Sequence, residues 1–358
     1  MALGVGGRPD PDALAAFMRA AARRYSGGDP AHPRIRYWQI WNEPNITPYL
    51  SPQFRGKRPV AAAYYRAMLN GAARAIHEVR ADNVVVAGAL SPFTADYGSV
   101  ESVGPLRFMR DLLCLSSGPK PRPTCSTRVE FDVWAHHPYT SGGPTHHAAH
   151  ADDVSLGDLG EMRALLDAAR RAGRIRAPRG IGFWVTEFSW DSKSADPRGV
   201  PEVLRARWVS EALHEMWKAG VTVATWFKLR DEPFPSTPYQ SGLYARGATP
   251  AQDRPRPSLA AFRFPFVAYL GSKGVLVWGR TPGGKQARIV IEQKSIGGGW
   301  RRVALLRTDR YGIVQGRLAL PRSTKRDVIR ARVAGGNIAA LPFSLQPQPD
   351  RVYNPFGT

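Results

Sequence analysis

The sequence predicts an α/β fold with a parallel sheet, followed by a small all-β sandwich domain. From the start to about residue 268, amphipathic helical segments alternate with short apolar segments, which is typical of βα units. From residue 271 on, short apolar stretches recur at near-regular spacing with Gly, Asp and Pro between them, which is typical of a β-sandwich. The chain has 358 residues, 43% of them hydrophobic, and this suffices for one large core and a second, smaller one.

Helices and strands follow one another regularly in the first part of the chain. Leu14, Phe17, Met18 and Ala21 have the spacing of one helix face, and Ser155 is a predicted helix N-cap. Six segments are predicted to be helices: 12–25, 60–79, 106–115, 155–172, 202–219 and 258–269. Five segments are predicted to be strands: 34–41, 83–89, 129–135, 181–187 and 221–227.

The change of pattern near residue 270 divides the chain into two predicted domains, 1–270 and 271–346. Six short strands are predicted in the second domain: 275–278, 287–291, 302–306, 316–320, 328–333 and 340–343. Residues 347–358 are rich in Pro and are predicted to form a flexible tail.

The charge balance is strongly basic. The chain has 50 Lys and Arg residues against 29 Asp and Glu, a net charge of +21, and only nine of the basic residues are Lys. Residues 269–358 hold 16 basic and four acidic residues, so over half of the excess lies there. This favours a nucleic acid, an anionic cell surface or an acidic polymer as partner, with an Arg-rich coding bias as the alternative. Nucleic acid is the weaker expectation, because the basic residues of 271–346 alternate with apolar ones instead of forming runs.

Two kinds of segment are not expected from the sequence. No run approaches the 18 or so consecutive apolar residues of a membrane span. The first eight residues have neither the basic start nor the apolar stretch of a signal peptide. We therefore expect a soluble, globular chain without a membrane span.

Two glutamates stand at the ends of predicted strands. Glu43 closes the run Tyr37-Trp-Gln-Ile-Trp-Asn-Glu-Pro-Asn45, in which Pro44 ends the strand. Glu187 closes the strand in Phe183-Trp-Val-Thr-Glu-Phe-Ser-Trp-Asp191 among aromatic residues. Catalytic groups of parallel α/β folds gather at such strand ends. Paired carboxylates there are suited to glycoside hydrolysis, in which one protonates the leaving oxygen and the other attacks the anomeric carbon.

Trp41-Asn-Glu-Pro44 and Thr186-Glu187 resemble the motifs of the retaining glycoside hydrolases built on a (β/α)8 TIM barrel, with families 5 and 39 most similar. In that clan an Asn-Glu pair ends the fourth strand and the nucleophilic Glu ends the seventh. Here two predicted strands lie between the two motifs and one follows, which agrees with that assignment. The resemblance covers about residues 10–268.

The resemblance implies roles for six residues. Glu43 would be the general acid/base and Glu187 the nucleophile, and Asn42 would bind the sugar 2-hydroxyl. His136-His-Pro-Tyr139 resembles the His-x-Tyr of the sixth strand, so His137 and Tyr139 would hold the nucleophile ionised and oriented. Trp226 would be a sugar-stacking platform. In a retaining enzyme the two carboxyl groups lie about 5–5.5 Å apart.

Each of these residues has a structural alternative. Either Glu could pair with an Arg, and His137 and Tyr139 could pack and hydrogen-bond without contacting substrate. Trp226 could belong to an ordinary core. The five clustered residues His146, His147, His150, Asp152 and Asp153 could hold a metal, but they lack a recognised zinc spacing, and we expect a solvated loop or substrate rim instead. We expect no metal and no cofactor.

The only two cysteines, Cys114 and Cys125, flank a loop rich in Pro and Gly. Such a pair favours a disulfide bond and an oxidising compartment, and the alternative is two buried thiols. The chain is therefore expected to be secreted.

The resemblance also predicts that the barrel is N-terminally incomplete. Only a loop and one helix precede Tyr37, so strands 4 to 8 are represented and strands 1 to 3 are not. Five strands cannot close an eight-stranded barrel, so we expect a fragment or mis-started reading of a longer secreted protein that carries its signal peptide elsewhere, and the alternative is that another polypeptide supplies the missing edge. Whether this chain hydrolyses substrate alone is left open.

Two functions are therefore considered. The first is a secreted retaining glycosidase for a β-linked polysaccharide or oligosaccharide, with an accessory sandwich whose Trp300-Arg-Arg-Val and Thr308-Asp-Arg-Tyr-Gly312 resemble bacterial fibronectin-like or immunoglobulin-like modules. The alternative is a catalytically impaired or non-catalytic carbohydrate-binding or cell-wall-binding protein with a basic C-terminal module. Both take carbohydrate as partner, and an anionic cell wall would be contacted through residues 271–346.

Overall fold

A computed structural model describes residues 8–97, 100–194, 196–272, 274–320 and 327–347. Of the tail predicted at 347–358, residues 348–358 lie outside the described residues. Two compact units are present. The first comprises Met1–Thr140, His147–Phe188 and Ala219–Thr225, and the second comprises Ser141–His146, Ser189–Lys218 and Trp226–Thr358. None of the described helices combines the length and the apolar character needed to cross a bilayer.

The first unit is built around a five-stranded parallel sheet. Its strands lie side by side in chain order: β1 (Tyr37–Gln39), β2 (Val84–Leu90), β3 (Val133–His136), β4 (Gly182–Val185) and β5 (Val223–Ala224). Four helices accompany the strands: α1 (Pro11–Arg24), α2 (Ala61–Val79), α3 (Pro105–Leu113) and α4 (Leu159–Arg171). The predicted α/β fold and all five predicted strands are confirmed; the strand predicted over 83–89 is shifted by one residue to Val84–Leu90, and the other four are shorter than predicted.

The sheet is curled like part of a barrel. Tyr37 on β1 and Trp184 on β4 have ring centroids 5.4 Å apart, although two strands lie between them in the sheet. Flat neighbouring strands are spaced about 4.7–4.9 Å, so side chains three strands apart meet only when the sheet curves toward them. A partial, TIM-barrel-like sheet therefore forms the centre of this unit.

Local sequence accounts for where the helices begin. The Asp10 carboxylate accepts hydrogen bonds from the Asp12 and Ala13 N–H groups, and Pro11 occupies the first helical position of α1. Ser155 caps a short 3-10 turn, Leu156–Asp158, through a capping box with Asp158, and this turn leads into α4. The predicted N-cap is thus confirmed, with a 3-10 turn inserted before the helix.

One predicted strand is interrupted. Within 129–135, Val129–Glu130 pairs with Ile175–Arg176 in a separate two-stranded ribbon, and the central sheet resumes only at β3. Two further ribbons occur in this unit, Phe54–Arg55 with Arg58–Pro59 and Asp96–Tyr97 with Val100–Glu101. The interruption coincides with Asp132, whose carboxylate accepts a hydrogen bond from the Val85 N–H at 2.9 Å.

The predicted disulfide between Cys114 and Cys125 is present, and their Cα atoms lie 5.4 Å apart. The bond closes the Pro-rich loop after α3 across a sequence separation of 11 residues. Closing a loop of this length stabilises the folded state by about 3 kcal/mol in the chain-entropy account.

A buried carboxylate joins α2 to the sheet. The His77 Nε2 atom lies 3.1 Å from Asp132 Oδ2, and the Arg179 guanidinium donates to Asp132 Oδ1 at 3.2 Å. Burial tends to raise the pKa of Asp132, but the hydrogen bonds from His77, Val85 and Arg179 outweigh it and lower that pKa. The hydrogen bond that His77 donates to Asp132, opposed by burial and aided by Glu130, raises the pKa of His77.

These shifts predict a pH window for the stability of the fold. The raised pKa of His77 contributes stability that is complete below about pH 6.5 and is lost as pH rises through the folded-state pKa. The lowered pKa of Asp132 contributes stability above about pH 3.8 that is lost as pH falls through its folded-state pKa. We expect His77→Gln to destabilise by about 1.5–3 kcal/mol near pH 5 and by clearly less above pH 8. Urea unfolding at both pH values measures this.

The exposed His150 provides the matched control. His150→Gln should change the urea midpoint little at either pH. An effect of His77→Gln that is equal at pH 5 and pH 8 would contradict the assigned ion pair.

The second unit contains two helices, a ribbon and a β-sandwich. Its helices are α5 (Glu202–Lys218) and α6 (Pro257–Arg263), and its ribbon pairs Tyr244–Ala245 with Arg254–Pro255. Eight strands form the sandwich: β6 (Phe266–Gly271), β7 (Gly274–Arg280), β8 (Arg288–Lys294), β9 (Arg301–Arg307), β10 (Ile313–Leu318), β11 (Val328–Val333), β12 (Phe343–Ser344) and β13 (Gln346–Pro347). The sheet orders are β10-β7-β6-β13 and β9-β8-β11-β12.

One hydrophobic core joins the two sheets of the sandwich. Val277 and Trp278 of the first sheet and Ile289, Ile291 and Ile329 of the second belong to the same buried cluster. The predicted small β-sandwich is therefore confirmed as an architecture.

The sandwich begins earlier than the sequence pattern predicts. The last helix, predicted over 258–269, ends at Arg263, and Phe266–Gly271 is strand β6, which pairs with β7. The run Phe266-Val-Ala-Tyr-Leu270 is apolar without interruption, and such a short run does not distinguish a buried strand from a buried helix. The pairing with β7 decides in favour of the strand.

Candidate functional site

Three loops of the first unit meet at the carboxyl edge of the curled sheet. Glu43 follows β1, His137 and Tyr139 follow β3, and Glu187 follows β4. Parallel strands place their carboxyl ends at one edge, and the curl of the sheet turns these ends toward each other. Residues that are 144 positions apart in the sequence, such as Glu43 and Glu187, thereby come into one site.

The backbone is strained where Glu43 is presented. Trp41 has a φ of 71° and Glu43 a φ of 40°, both in the left-handed region that residues with a Cβ seldom adopt. Each such residue costs on the order of 1–3 kcal/mol and persists only where its surroundings hold it. Here the Glu43 N–H donates to the Ala89 carbonyl at 3.0 Å, and the Trp41 indole donates to the Tyr49 carbonyl at 2.8 Å.

A bulge in β2 supplies the carbonyl that holds Glu43. The register of β2 with β3 shifts between Gly88 and Leu90. Gly88 has a φ of 88°, and a Cβ there would lie 2.5 Å from the Ala135 carbonyl oxygen, so this close approach requires glycine. The backbone N–H of Gly88 donates to the side-chain hydroxyl of Tyr65 at 3.0 Å.

Buried amides anchor the loop that follows Glu43. The Asn45 Oδ1 atom accepts from the Ser91 N–H at 2.9 Å, and its amide nitrogen donates to the Ser91 and Val103 carbonyls at 3.0 Å each. The Gln53 amide donates to the Pro44 carbonyl at 3.0 Å. Sequence reasoning assigned no role to Asn45, although it closes the Asn-Glu-Pro-Asn run, and nothing in the sequence indicated Gln53.

His137 lies between the two carboxylates. Its ring is fully buried, and Nδ1 is 3.0 Å from Glu43 Oε1 and 3.8 Å from Glu187 Oε2. The distance between Glu43 Oε1 and Glu187 Oε2 therefore cannot exceed the sum of their distances to His137 Nδ1. That bound is compatible with the separation of about 5–5.5 Å expected for a retaining pair.

Thr186 orients the other side of the same ring. The His137 Nε2 atom is 3.1 Å from Thr186 Oγ1. The backbone N–H of His137 donates to the Leu90 carbonyl at 3.0 Å. With Nδ1 as donor to Glu43, Nε2 accepts a hydrogen bond from the Thr186 hydroxyl. The sequence motif contained Thr186, but no signal in the sequence indicated this contact.

Tyr139 contacts the second carboxylate. Its hydroxyl donates to Glu187 Oε2 at 2.9 Å. Sequence reasoning placed both Tyr139 and His137 beside Glu187, and the structure places Tyr139 there while His137 hydrogen-bonds Glu43 more closely. The side chains of Glu43 and Glu187 are 15% and 27% exposed, so both carboxylates are accessible to a solute.

The neighbouring His136 is a structural residue. Its Nε2 donates to the Val154 carbonyl at 2.8 Å, and the side chain is fully buried. Burial lowers the pKa of His136 to about 3. The ring is therefore neutral at physiological pH and adds no charge beside the two glutamates.

Asn42 and Trp226 lie in different environments. Asn42 is half-buried next to Glu43, and no side chain or backbone group among the described residues hydrogen-bonds its amide. Trp226 belongs to the second unit, where its indole donates to the Ser241 carbonyl at 2.7 Å and its ring packs near Trp190. Its side chain is 8% exposed, and its predicted role as a sugar platform stays a prediction.

The histidine-rich loop distributes its side chains among separate partners. His147 Nδ1 lies 2.6 Å from Asp158, Arg110 binds Asp152 at 2.5 Å, and the Thr94 N–H donates to Asp153 at 2.8 Å. Within the described ranges, no three His, Cys, Asp or Glu side chains converge in a geometry that could hold a metal ion.

No protein-family model matches the sequence, and no curated protein is similar to it. Among solved structures, a calcium-binding mutant of Bacteroides uniformis beta-glucuronidase 2 superposes with a TM-score of 0.43 at 12% identity, over 95% of this chain and 37% of that one. Ruminococcus gnavus beta-glucuronidase gives a TM-score of 0.37 at 14% identity, over 70% of this chain and 34% of that one. The chain thus spans about a third of the length of these enzymes.

Proposed function

We propose that this chain is a retaining glycoside hydrolase that cleaves β-linked polysaccharides or oligosaccharides by double displacement. The observation that carries the proposal is the pair Glu43 and Glu187, whose carboxylates both lie within 4 Å of Nδ1 of the buried His137 at the carboxyl edge of a curled parallel sheet. A purely structural ion pair would join a carboxylate to a cation, whereas here two carboxylates converge and both remain accessible to a solute.

In the first step the Glu187 carboxylate attacks the anomeric carbon and forms a glycosyl ester, while the bond from that carbon to the leaving oxygen breaks. Glu43 gives its proton to the leaving oxygen and becomes a carboxylate. Tyr139, which donates to Glu187 Oε2, leaves the other carboxylate oxygen of Glu187 for the attack. Asn42 is placed next to Glu43 to bind a sugar hydroxyl.

In the second step Glu43 takes a proton from water, and the resulting hydroxide equivalent attacks the same anomeric carbon. The ester bond to Glu187 breaks and restores its carboxylate, so the sugar leaves with its original anomeric configuration. His137 donates from Nδ1 to Glu43 and holds that carboxylate in one orientation through both steps. The Thr186 hydroxyl keeps the His137 ring from rotating.

The finer assignments belong to the same proposal. The motif pattern supports a relationship to glycoside hydrolase families 5 and 39. The Cys114–Cys125 disulfide supports secretion, because such bonds persist in oxidising compartments. The basic C-terminal residues support contact with an anionic cell wall.

A panel of aryl β-glycosides tests the proposal. The chain should release the aryl group from at least one member, and proton NMR of the first product formed should show the β anomer. Release of the α anomer would contradict the retaining mechanism. No turnover of any member, nor of β-linked oligosaccharides, would contradict the proposed hydrolase.

A further inference from the structure

One outer face of the sandwich carries an unbalanced set of charges. We call it the basic sheet face and define it by strands β8, β9 and β11. Six basic residues and one acidic residue point outward from it: Arg288, Lys294, Arg302, Arg307, Arg330 and Arg332, with Glu292.

The strand register establishes that these side chains share one face. Arg288 pairs with Arg307, and Glu292 pairs with both Arg302 and Arg330. Residues directly opposite each other in a sheet project to the same side. The alternate residues of β8 and β11, among them Ile289 and Ile329, project to the other side and belong to the core of the sandwich.

Only part of this charge is neutralised. Glu292 accepts from Arg330 at 2.7 Å and from Arg332 at 2.9 Å, and these guanidinium groups hold the pKa of Glu292 below its usual value. Arg288, Arg302 and Arg307 are exposed, and no acidic side chain in the described part of the chain pairs with any of them. Two of these exposed residues, Arg288 and Arg307, oppose each other on adjacent strands, and Arg302 lies five residues from Arg307 along β9.

An aromatic ring adjoins the charges. The Arg330 guanidinium carbon lies 4.0 Å from the centroid of the Trp300 ring, and Trp300 is half-buried. A guanidinium group forms paired hydrogen bonds with a planar carboxylate, and an indole face packs against the apolar C–H side of a sugar ring. The combination suits a sugar that carries a carboxylate.

We propose that the basic sheet face binds an acidic polysaccharide, with Arg288, Arg302 and Arg307 holding carboxylates along the polymer and Trp300 contacting its sugar rings. Arg288 and Arg307 oppose each other on strands about 4.7–4.9 Å apart, and Arg302 lies five residues, roughly 16 Å, from Arg307 along β9, so a linear polyanion that follows β9 meets all three guanidinium groups. The choice of a polysaccharide over nucleic acid rests on the proposed glycosidase function.

Binding of the full chain to polygalacturonate, measured by biolayer interferometry at low and high salt, tests this proposal. The triple variant Arg288→Gln, Arg302→Gln, Arg307→Gln should bind about tenfold or more weakly, because each basic residue near an anionic surface contributes about 1 kcal/mol. The matched control replaces three exposed helical arginines, Arg24, Arg170 and Arg171, by Gln and removes the same net charge from the first unit. It should retain binding within about twofold.

Three results would overturn the proposal: no binding of the full chain to polygalacturonate at low salt, equal weakening in both triple variants, or tighter binding to a DNA duplex than to polygalacturonate at the same salt. Neutral dextran should not bind in any case. The assay needs no hydrolysis, and the triple variant should keep full aryl glycosidase activity. Loss of binding and loss of catalysis are therefore distinguishable.

Discussion

Glu187→Gln should lower the turnover of an aryl β-glycoside by at least about 10⁴-fold, with little change in the concentration of substrate needed for half-saturation. Gln has nearly the size and shape of Glu, and its amide oxygen can still accept from Tyr139, so the local fold should persist. The amide is not a nucleophile, however, and the glycosyl ester cannot form. Steady-state kinetics with one good aryl substrate measures the effect.

Glu161 offers a matched control for this substitution. It is an exposed glutamate in the first turn of α4, and Glu161→Gln should leave turnover within about twofold of the parent, as expected for a surface change away from special features. A Glu187→Gln protein that turns over at the parent rate would remove Glu187 from the proposed mechanism.

Glu43→Gln should produce a loss that depends on the leaving group. An alkyl or otherwise poor leaving group needs the proton of Glu43, so its glycoside should react about 10²–10⁴-fold more slowly. A dinitrophenyl leaving group departs without a proton, so the glycosyl ester should form at nearly the parent rate and then accumulate, because water lacks its general base. A pre-steady-state burst of dinitrophenol measures this difference.

Azide supplies an internal control for the Glu43→Gln variant. It is a nucleophile that needs no general base, so it should speed the second step and yield a glycosyl azide of retained configuration. Equal losses with good and poor leaving groups, without acceleration by azide, would assign Glu43 to a structural role.

The periodic pattern of the sequence was sufficient to predict the central sheet. The apolar runs ending at Leu90 and His136 are buried from both sides, as parallel strands are, the run ending at Val185 alternates half-buried and buried residues, and all three lie in the predicted order. Pro44 does not mark the end of β1, which already ends at Gln39, and Glu43 lies in the loop that follows. Since strand ends in such sheets meet at one edge, the proximity of Glu43 and Glu187 could also be predicted from the sequence.

Contacts made by side chains from distant parts of the chain could not be predicted in the same way. One His137 ring nitrogen faces Glu43, and the other faces Thr186. This arrangement depends on the curl of the sheet and on the rotamer of the His137 ring. In the second unit, fully buried Arg205 donates to the Gly242 carbonyl at 3.0 Å and to Ser258 Oγ at 2.9 Å. In a sequence with 41 arginines, nothing local distinguishes Arg205 from the exposed ones.

The helix predicted over 258–269 shows a further limit of local patterns. Pro257 and the residues up to Arg263 form a helix as expected, but the following apolar run joins the sandwich as β6. Its conformation is determined by pairing with β7 and by burial in the sandwich core, which are tertiary effects.

Covalent trapping of the nucleophile tests the central claim most directly. A 2-deoxy-2-fluoro dinitrophenyl β-glycoside of the sugar that the chain hydrolyses carries a fluorine that disfavours positive charge at the anomeric carbon, and this slows both steps. The good leaving group keeps the first step faster, so the glycosyl ester accumulates and can be located by peptide mass spectrometry. We expect a single label on Glu187. A label on any other residue, or continued turnover of the parent substrate without any label, would contradict the proposed mechanism.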